Sequence, residues 1–196
     1  MSSRLLFISV LVLGMLTAPA QAAKPQVELD TTAGTITLEL NPDAAPRTVE
    51  NFLRYVKDGH YSGTQFHRVI KGFMIQGGGY DANFWQKPTR PPIPIESEQS
   101  AKAGLSNAPG TVAMARTGDP NSATSQFFIN VGDNKRLDFH SPDAQGYGYT
   151  VFGKVVRGMD VVNKIASAPT AAGGSFPTDV PVERVIIKSA HVLPGA

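Results

Sequence analysis

Cysteine is absent from the 196 residues, which excludes disulfides, thiolate nucleophiles and cysteine-ligated zinc. The four histidines, His60, His67, His140 and His191, show no i, i+4 or clustered spacing, so a metal site is not expected. An excess of one charge is lacking too: 18 Lys and Arg stand against 16 Asp and Glu, and no run of five basic residues occurs. Nucleic-acid binding is therefore without the basic stripe that it needs. No G-x-S-x-G elbow is present, and Ser125, in Thr124-Ser125-Gln126, has no identifiable base. It is expected as a solvated or capping hydroxyl. Gly77-Gly78-Gly79 lacks both the spacing of a dinucleotide fingerprint and the lysine of a phosphate loop.

Long apolar runs are missing everywhere except near the N-terminus. There Arg4 precedes the run from Leu5 to Leu16, which leads to the small-x-small site Ala20-Gln21-Ala22. A basic residue, an apolar stretch and such an ending describe a secretory signal peptide. A spanning helix wants roughly 18–20 apolar residues, and Thr17, Pro19 and Gln21 interrupt this one too early. Cleavage is expected after Ala22, with residues 1–22 as the signal and 23–196 as one soluble, monomeric domain that leaves the membrane. That length buries a core without covalent staples.

What is present reads as strands with few helices. Val27-Glu28-Leu29 and Thr35 to Leu40 flank a hairpin-like Ala33-Gly34. Pro46 suits the first position of a helix whose apolar stripe is Val49, Phe52, Leu53 and Val56 and whose stop is Gly59. Further strands are predicted over Gln65–Ile70, Phe73–Gln76, Thr111–Ala115, Gln126–Val131, Tyr149–Val156 and Val182–Ile187, with a second helix over Met159–Ala166. Tyr80 to Ala108, with four prolines, reads as a long surface excursion. Many strands with two isolated helices predict a mainly β fold, a closed barrel with helical plugs.

Two stretches stand apart: Phe66-His67-Arg68-Val69-Ile70-Lys71-Gly72-Phe73-Met74-Ile75-Gln76-Gly77-Gly78, and Met114-Ala115-Arg116 followed by Ser122-Ala123-Thr124-Ser125-Gln126-Phe127-Phe128-Ile129. With Val151-Phe152-Gly153-Lys154-Val155 and Gly158-Met159-Asp160, they make the chain from about Val27 to Val192 resemble the cyclophilin family of peptidyl-prolyl isomerases. The resemblance implies a closed eight-stranded antiparallel β-barrel capped by two α-helices, with the site on its outer face. It also implies a cofactor-free isomerase acting on proline-containing segments.

The residues suit that work. In a strand, i and i+2 share a face, so Met74 and Gln76 point together, as do Gln126 and Phe128. Phe73, Met74, Phe128 and Leu137 are expected to enclose a proline ring, and Gln76 and Gln126 to bond the flanking peptide groups. Arg68 is the expected catalytic residue; Ala115, Arg116 and Tyr149 complete the expected substrate site. The chain departs from the family's best-known pattern in three places. Arg116 stands where many members have asparagine, Tyr149 where many have histidine, and Arg136 where a tryptophan often precedes the leucine. These replacements resemble the bacterial exported branch, which implies a periplasmic location and folding clients among exported proteins. Loss of the tryptophan predicts weak cyclosporin binding. Two other readings stay open: a binding module or chaperone that holds proline segments without turnover, and a cell-surface interaction protein using the Tyr80–Ala108 excursion.

Overall fold

A computed structural model describes residues 23–194; the expected signal segment and its cleavage site lie outside them. β1 (Gln26–Thr31) and β2 (Gly34–Leu40) form the first hairpin, followed by α1 (Pro46–Lys57), β3 (Arg68–Ile70) and β4 (Met74–Gly77). A short α2 (Ser97–Lys102) precedes β5 (Thr111–Met114), β6 (Phe127–Asn130) and β7 (Val151–Arg157). The chain ends with α3 (Met159–Ala166), β8 (Thr170–Gly173), β9 (Phe176–Pro181) and β10 (Ile187–Val192). Eight strands make one antiparallel sheet in the order β10-β1-β2-β7-β5-β6-β4-β3, and β8 pairs with β9 apart from it.

The sheet curls on itself. Its edges meet through Gly63 N–H to Ile187 O at 2.8 Å, Ile187 N–H to Thr64 O at 2.7 Å and Phe66 N–H to Val185 O at 2.9 Å. The expected barrel is thus a curled sheet whose seam is a short bridge of residues just before β3, not an eighth continuous ladder. That bridge also relocates the last strand. Val182–Ile187 alternates like a strand, but Val185 bonds to Phe66 across the seam, Ile186 bonds to Thr32 just past β1, and the ladder with β1 begins only at Ile187.

α1 forms where its stripe predicts, with Val49, Phe52, Tyr55 and Val56 buried, and Gly59 beyond its end has φ of 67°. Its N-cap position is Ala45, which has no side-chain acceptor to offer. The exposed donors of the first turn are satisfied instead from the distant excursion. The carboxylate of buried Glu96 accepts Arg47 N–H at 3.0 Å, Thr48 N–H at 2.8 Å and the Thr48 hydroxyl at 2.7 Å. The excursion is stitched down elsewhere too: Arg90 N–H donates to the Tyr55 hydroxyl, and Ile93 pairs with Ala123. Beneath α1 lies an aromatic core: Phe52 sits 5.0 Å from Tyr61, 5.5 Å from Phe127 and 5.2 Å from Phe152 between ring centroids.

Candidate active site

Register sets the site. Arg68 lies opposite Gln76, Gln76 opposite Phe128, Phe128 opposite Ala113, and Ala113 opposite Val151, one transverse row across β3, β4, β6, β5 and β7. Directly opposed residues project from the same face, so this row stands on the outside of the curled sheet. The next row, Val69, Ile75, Ile129 and Val112, belongs to the inner core. On the outer face Met74, Ala113, Phe128 and Val151 form a small separate apolar cluster, against which Phe73, Leu137 and Tyr149 pack.

This cluster floors a cleft of about 110 Å³. Phe73, Met74, Phe128 and Leu137 supply its apolar walls, Arg68 and Gln76 one polar side, and Ala115, Arg116 and Tyr149 the other. The volume falls below the roughly 300–1,000 Å³ of drug-sized sites and suits one small ring. Tyr149 meets Phe128 edge-on at 5.6 Å. Gln126 does not line the cleft; it stands beside it, its side-chain oxygen accepting from Gln76 Nε2 at 2.9 Å. Gly79 explains its position, because a Cβ there would lie 2.5 Å from Gln126 Cγ. The Arg68 guanidinium approaches the Gln76 side-chain oxygen at 3.5 Å. Arg68, Gln76 and Gln126 therefore form a polar chain along the cleft's edge. Of the five guanidinium donors, this is the one side-chain bond Arg68 makes among the described residues.

The sequence profile of the cyclophilin type peptidyl-prolyl cis-trans isomerases matches residues 26–192. The chain belongs to the cyclophilin family. It is similar to a peptidyl-prolyl cis-trans isomerase, cyp18, of Streptomyces antibioticus, 54% identical over 167 residues that cover 85% of this chain and 98% of the relative. Peptidyl-prolyl cis-trans isomerase A of Dickeya dadantii is 47% identical over 196 residues, covering 98% of this chain and 99% of its own. Among solved structures, a cyclophilin from Cryptosporidium parvum superposes with a TM-score of 0.69 at 27% identity, covering 88% of this chain and 99% of that one. Relatives of this similarity make the chain a peptidyl-prolyl cis-trans isomerase.

This cyclophilin supports its cleft with a network of buried amides for which the sequence offers little signal. Asn134 Nδ2 donates to Phe73 O at 2.8 Å and to Asn130 Oδ1 at 2.7 Å. Asn130 Nδ2 donates onward to Asn107 Oδ1 at 3.2 Å and to the Thr111 hydroxyl at 3.0 Å. Asn107 Nδ2 reaches Leu137 O at 3.1 Å and Asp138 Oδ1 at 2.8 Å. Each amide thus spends both protons, and the two ends of the relay hold the backbones of Phe73 and Leu137, both of which line the cleft. Asn130 and Asn134 are an i, i+4 pair astride a strand end, the one sequence feature that marks the relay.

Two other residues differ from expectation or add to it. Ser125 is neither solvated nor a cap: it is fully buried, its hydroxyl has no partner among the described residues, and its carbonyl accepts from the Tyr61 hydroxyl at 2.9 Å. Burial of the backbone against Tyr61 outweighs the hydroxyl's preference for water. His67, beside Arg68 in sequence, is buried with its ring 4.7 Å from Tyr80 and 5.2 Å from Phe176. Burial lowers its pKa to about 4, so the imidazole stays neutral beside the cleft.

Proposed function

We propose that this isomerase works in the periplasm on unfolded or flexible segments of exported proteins, with Arg68 as the catalytic residue. The observation that carries the mechanism is the Arg68 guanidinium at the edge of a cleft sized for a proline ring. Peptide planarity comes from resonance, and the uncatalysed barrier is about 18–20 kcal/mol. Twisting the bond localises the nitrogen lone pair. A guanidinium aimed at that nitrogen stabilises the twisted amide more than either planar form, which lowers the barrier. With the ring held among Phe73, Met74, Phe128 and Leu137, Gln76, Gln126 and the Ala115–Arg116 backbone grip the flanking peptide groups. The low polarity of the cleft weakens the charge-separated planar form. No covalent bond forms and no proton moves.

Proline segments as substrates are supported by a related cyclophilin from Cryptosporidium parvum, whose structure was obtained in the presence of the dipeptide Ala-Pro, with a TM-score of 0.66 and 27% identity. Export rests on the N-terminal signal pattern, and slow X-Pro rotation, tens of seconds uncatalysed, gives exported chains a use for the catalyst. Arg136 stands over Phe73 where the drug-holding tryptophan is expected, so cyclosporin affinity is weak. The test is a protease-coupled isomerisation assay with an Ala-Pro peptide from pH 6 to 9. A large and nearly flat acceleration is expected, because arginine keeps its charge throughout. A mid-range pKa in the profile would replace this mechanism with acid–base chemistry. Peptide binding without acceleration would make the protein a holding module.

A further inference from the structure

Two guanidiniums, of Arg68 and Arg116, line the cleft, a third, of Arg136, stands over the ring of its wall residue Phe73, and none of them is in an ion pair among the described residues. Arg116 is fixed on one side, its Nε donating to Gly148 O at 2.8 Å, one Nη donating to Thr117 O at 2.9 Å, and its plane 4.8 Å from the Tyr149 ring centroid. Backbone carbonyls and an aromatic face hold that group without neutralising it. Arg136 lies over another lining residue, its Cζ 4.8 Å from the centre of the Phe73 ring. The carboxylates on the neighbouring loops are engaged elsewhere. Asp138 is bonded by Ser106 and Asn107, Asp143 by Ser141, Gln145 and Gly146, Asp119 by Asn121, and Asp133 by Lys135. Those carboxylates keep their charge, but none of them is in an ion pair with Arg68, Arg116 or Arg136 among the described residues.

We propose that Arg116 and Arg136 make this isomerase selective for prolines flanked by acidic residues. The inference rests on the cleft being the proline site. Arg68 faces the twisting bond, which leaves the two outer arginines to meet the side chains before and after the proline. Rim charges of this kind act on encounter and are screened by salt. Both arginines are pre-placed by aromatic stacking, so little side-chain freedom is lost when a carboxylate docks.

Exchange NMR on Ala-Xaa-Pro-Ala and Ala-Ala-Pro-Xaa peptides, with Xaa as Glu, Ala or Lys, tests this without a protease of its own specificity. Affinities of the same peptides are read from chemical-shift titrations. In at least one series kcat/KM is expected to fall from Glu through Ala to Lys, with Glu about tenfold above Lys at low salt. That ratio shrinks as salt rises to about 1 M. The paired substitution Arg116→Gln with Arg136→Gln brings it close to one, while Arg116→Lys with Arg136→Lys retains most of it. Single substitutions assign each arginine to one side of the proline. A wild-type ratio of one, or a ratio indifferent to salt, overturns the proposal without any variant. So does a ratio that survives in a folded double-Gln protein. Absence of acceleration for every peptide would instead sink the isomerase reading of the cleft; the titrations then decide charge selectivity alone, which stands if Glu binds more tightly than Lys and falls if it does not.

Discussion

Phe127 and Phe128 are adjacent in β6 and both are almost wholly buried, yet they belong to different parts of the molecule. Phe127 points inward, edge-on to Phe52 and Tyr61 at 5.5 Å each, in a core sealed by α1. Phe128 points outward, into the small cluster with Met74, Ala113 and Val151 that floors the cleft. The same alternation separates Ile75 from Met74 and Gln76, and Val112 from Ala113. Burial therefore does not distinguish framework from site here. What differs is the far side of each face: a helix closes the inner one, whereas the outer one meets a short turn at Lys135–Leu137, the loop carrying Tyr149 and Leu105 from the end of the excursion. Between them they leave a gap the size of one ring.

The comparison breaks if the two phenylalanines respond alike. Phe127→Ala is expected to cost about 3–5 kcal/mol of stability in urea unfolding, since it leaves a sealed cavity. Phe128→Ala, whose space already opens to water, should cost about 2 kcal/mol while lowering kcat/KM at least about tenfold. Next in size, Arg68→Ala should reduce isomerisation on the order of 10²–10³-fold. Its unfolding midpoint should stay close to that of the wild type, because the guanidinium's one side-chain bond spans 3.5 Å. A variant that keeps wild-type turnover would remove Arg68 from the mechanism.

His67 sharpens the contrast between the faces through pH. Burial places its folded pKa at about 4, below the ordinary value near 6.5. Between those values the unfolded chain binds the extra proton, so stability rises with pH across that window. The contribution is complete above about pH 6.5 and is lost as pH falls through about 4, on the order of 3 kcal/mol in all. Subtracting unfolding curves of His67→Gln from those of the wild type at pH 7, 5.5 and 4 isolates it. An unchanged difference across the three would show that the ring is charged or exposed when folded. The smallest effect is expected from Asn134→Ala, which strips two donors from the relay and should cost about 1–3 kcal/mol. Its diagnostic is a raised KM with kcat little changed, because Phe73 O loses its side-chain donor and keeps only the backbone ones, while Arg68 is untouched.

The cleft was largely legible in the sequence. Strand alternation and the family motifs together named all nine residues that line it, Arg68, Phe73, Met74, Gln76, Ala115, Arg116, Phe128, Leu137 and Tyr149. Gln126 stands beside the cleft rather than in its lining, bonded to Gln76; a strand pattern gives the face of a side chain but not that Gly79 packs against it. The amide relay was not legible: its bonds join residues 23, 30 and 61 apart through side chains that carry no periodic signal. The β8–β9 hairpin was missed because Ala171, Ala172, Gly173 and Gly174 offer little strand preference; what secures it is Phe176 packing on His67 and Tyr80. The displaced start of β10 has a similar cause, since the pattern over Val182–Ile187 says which side chains go inward and nothing about which backbone they bond.

The carboxylate of Glu96 at the head of α1 bears on the order in which the chain assembles. A locally capped helix can form its first turn alone, but this one waits on a partner 48 residues further along, across a loop whose closure costs entropy. The first turn of α1 and the docking of the excursion are thus one cooperative event. Hydrogen exchange at the amides of Arg47 and Thr48 consequently reports the lifting of the excursion rather than the fraying of a helix end.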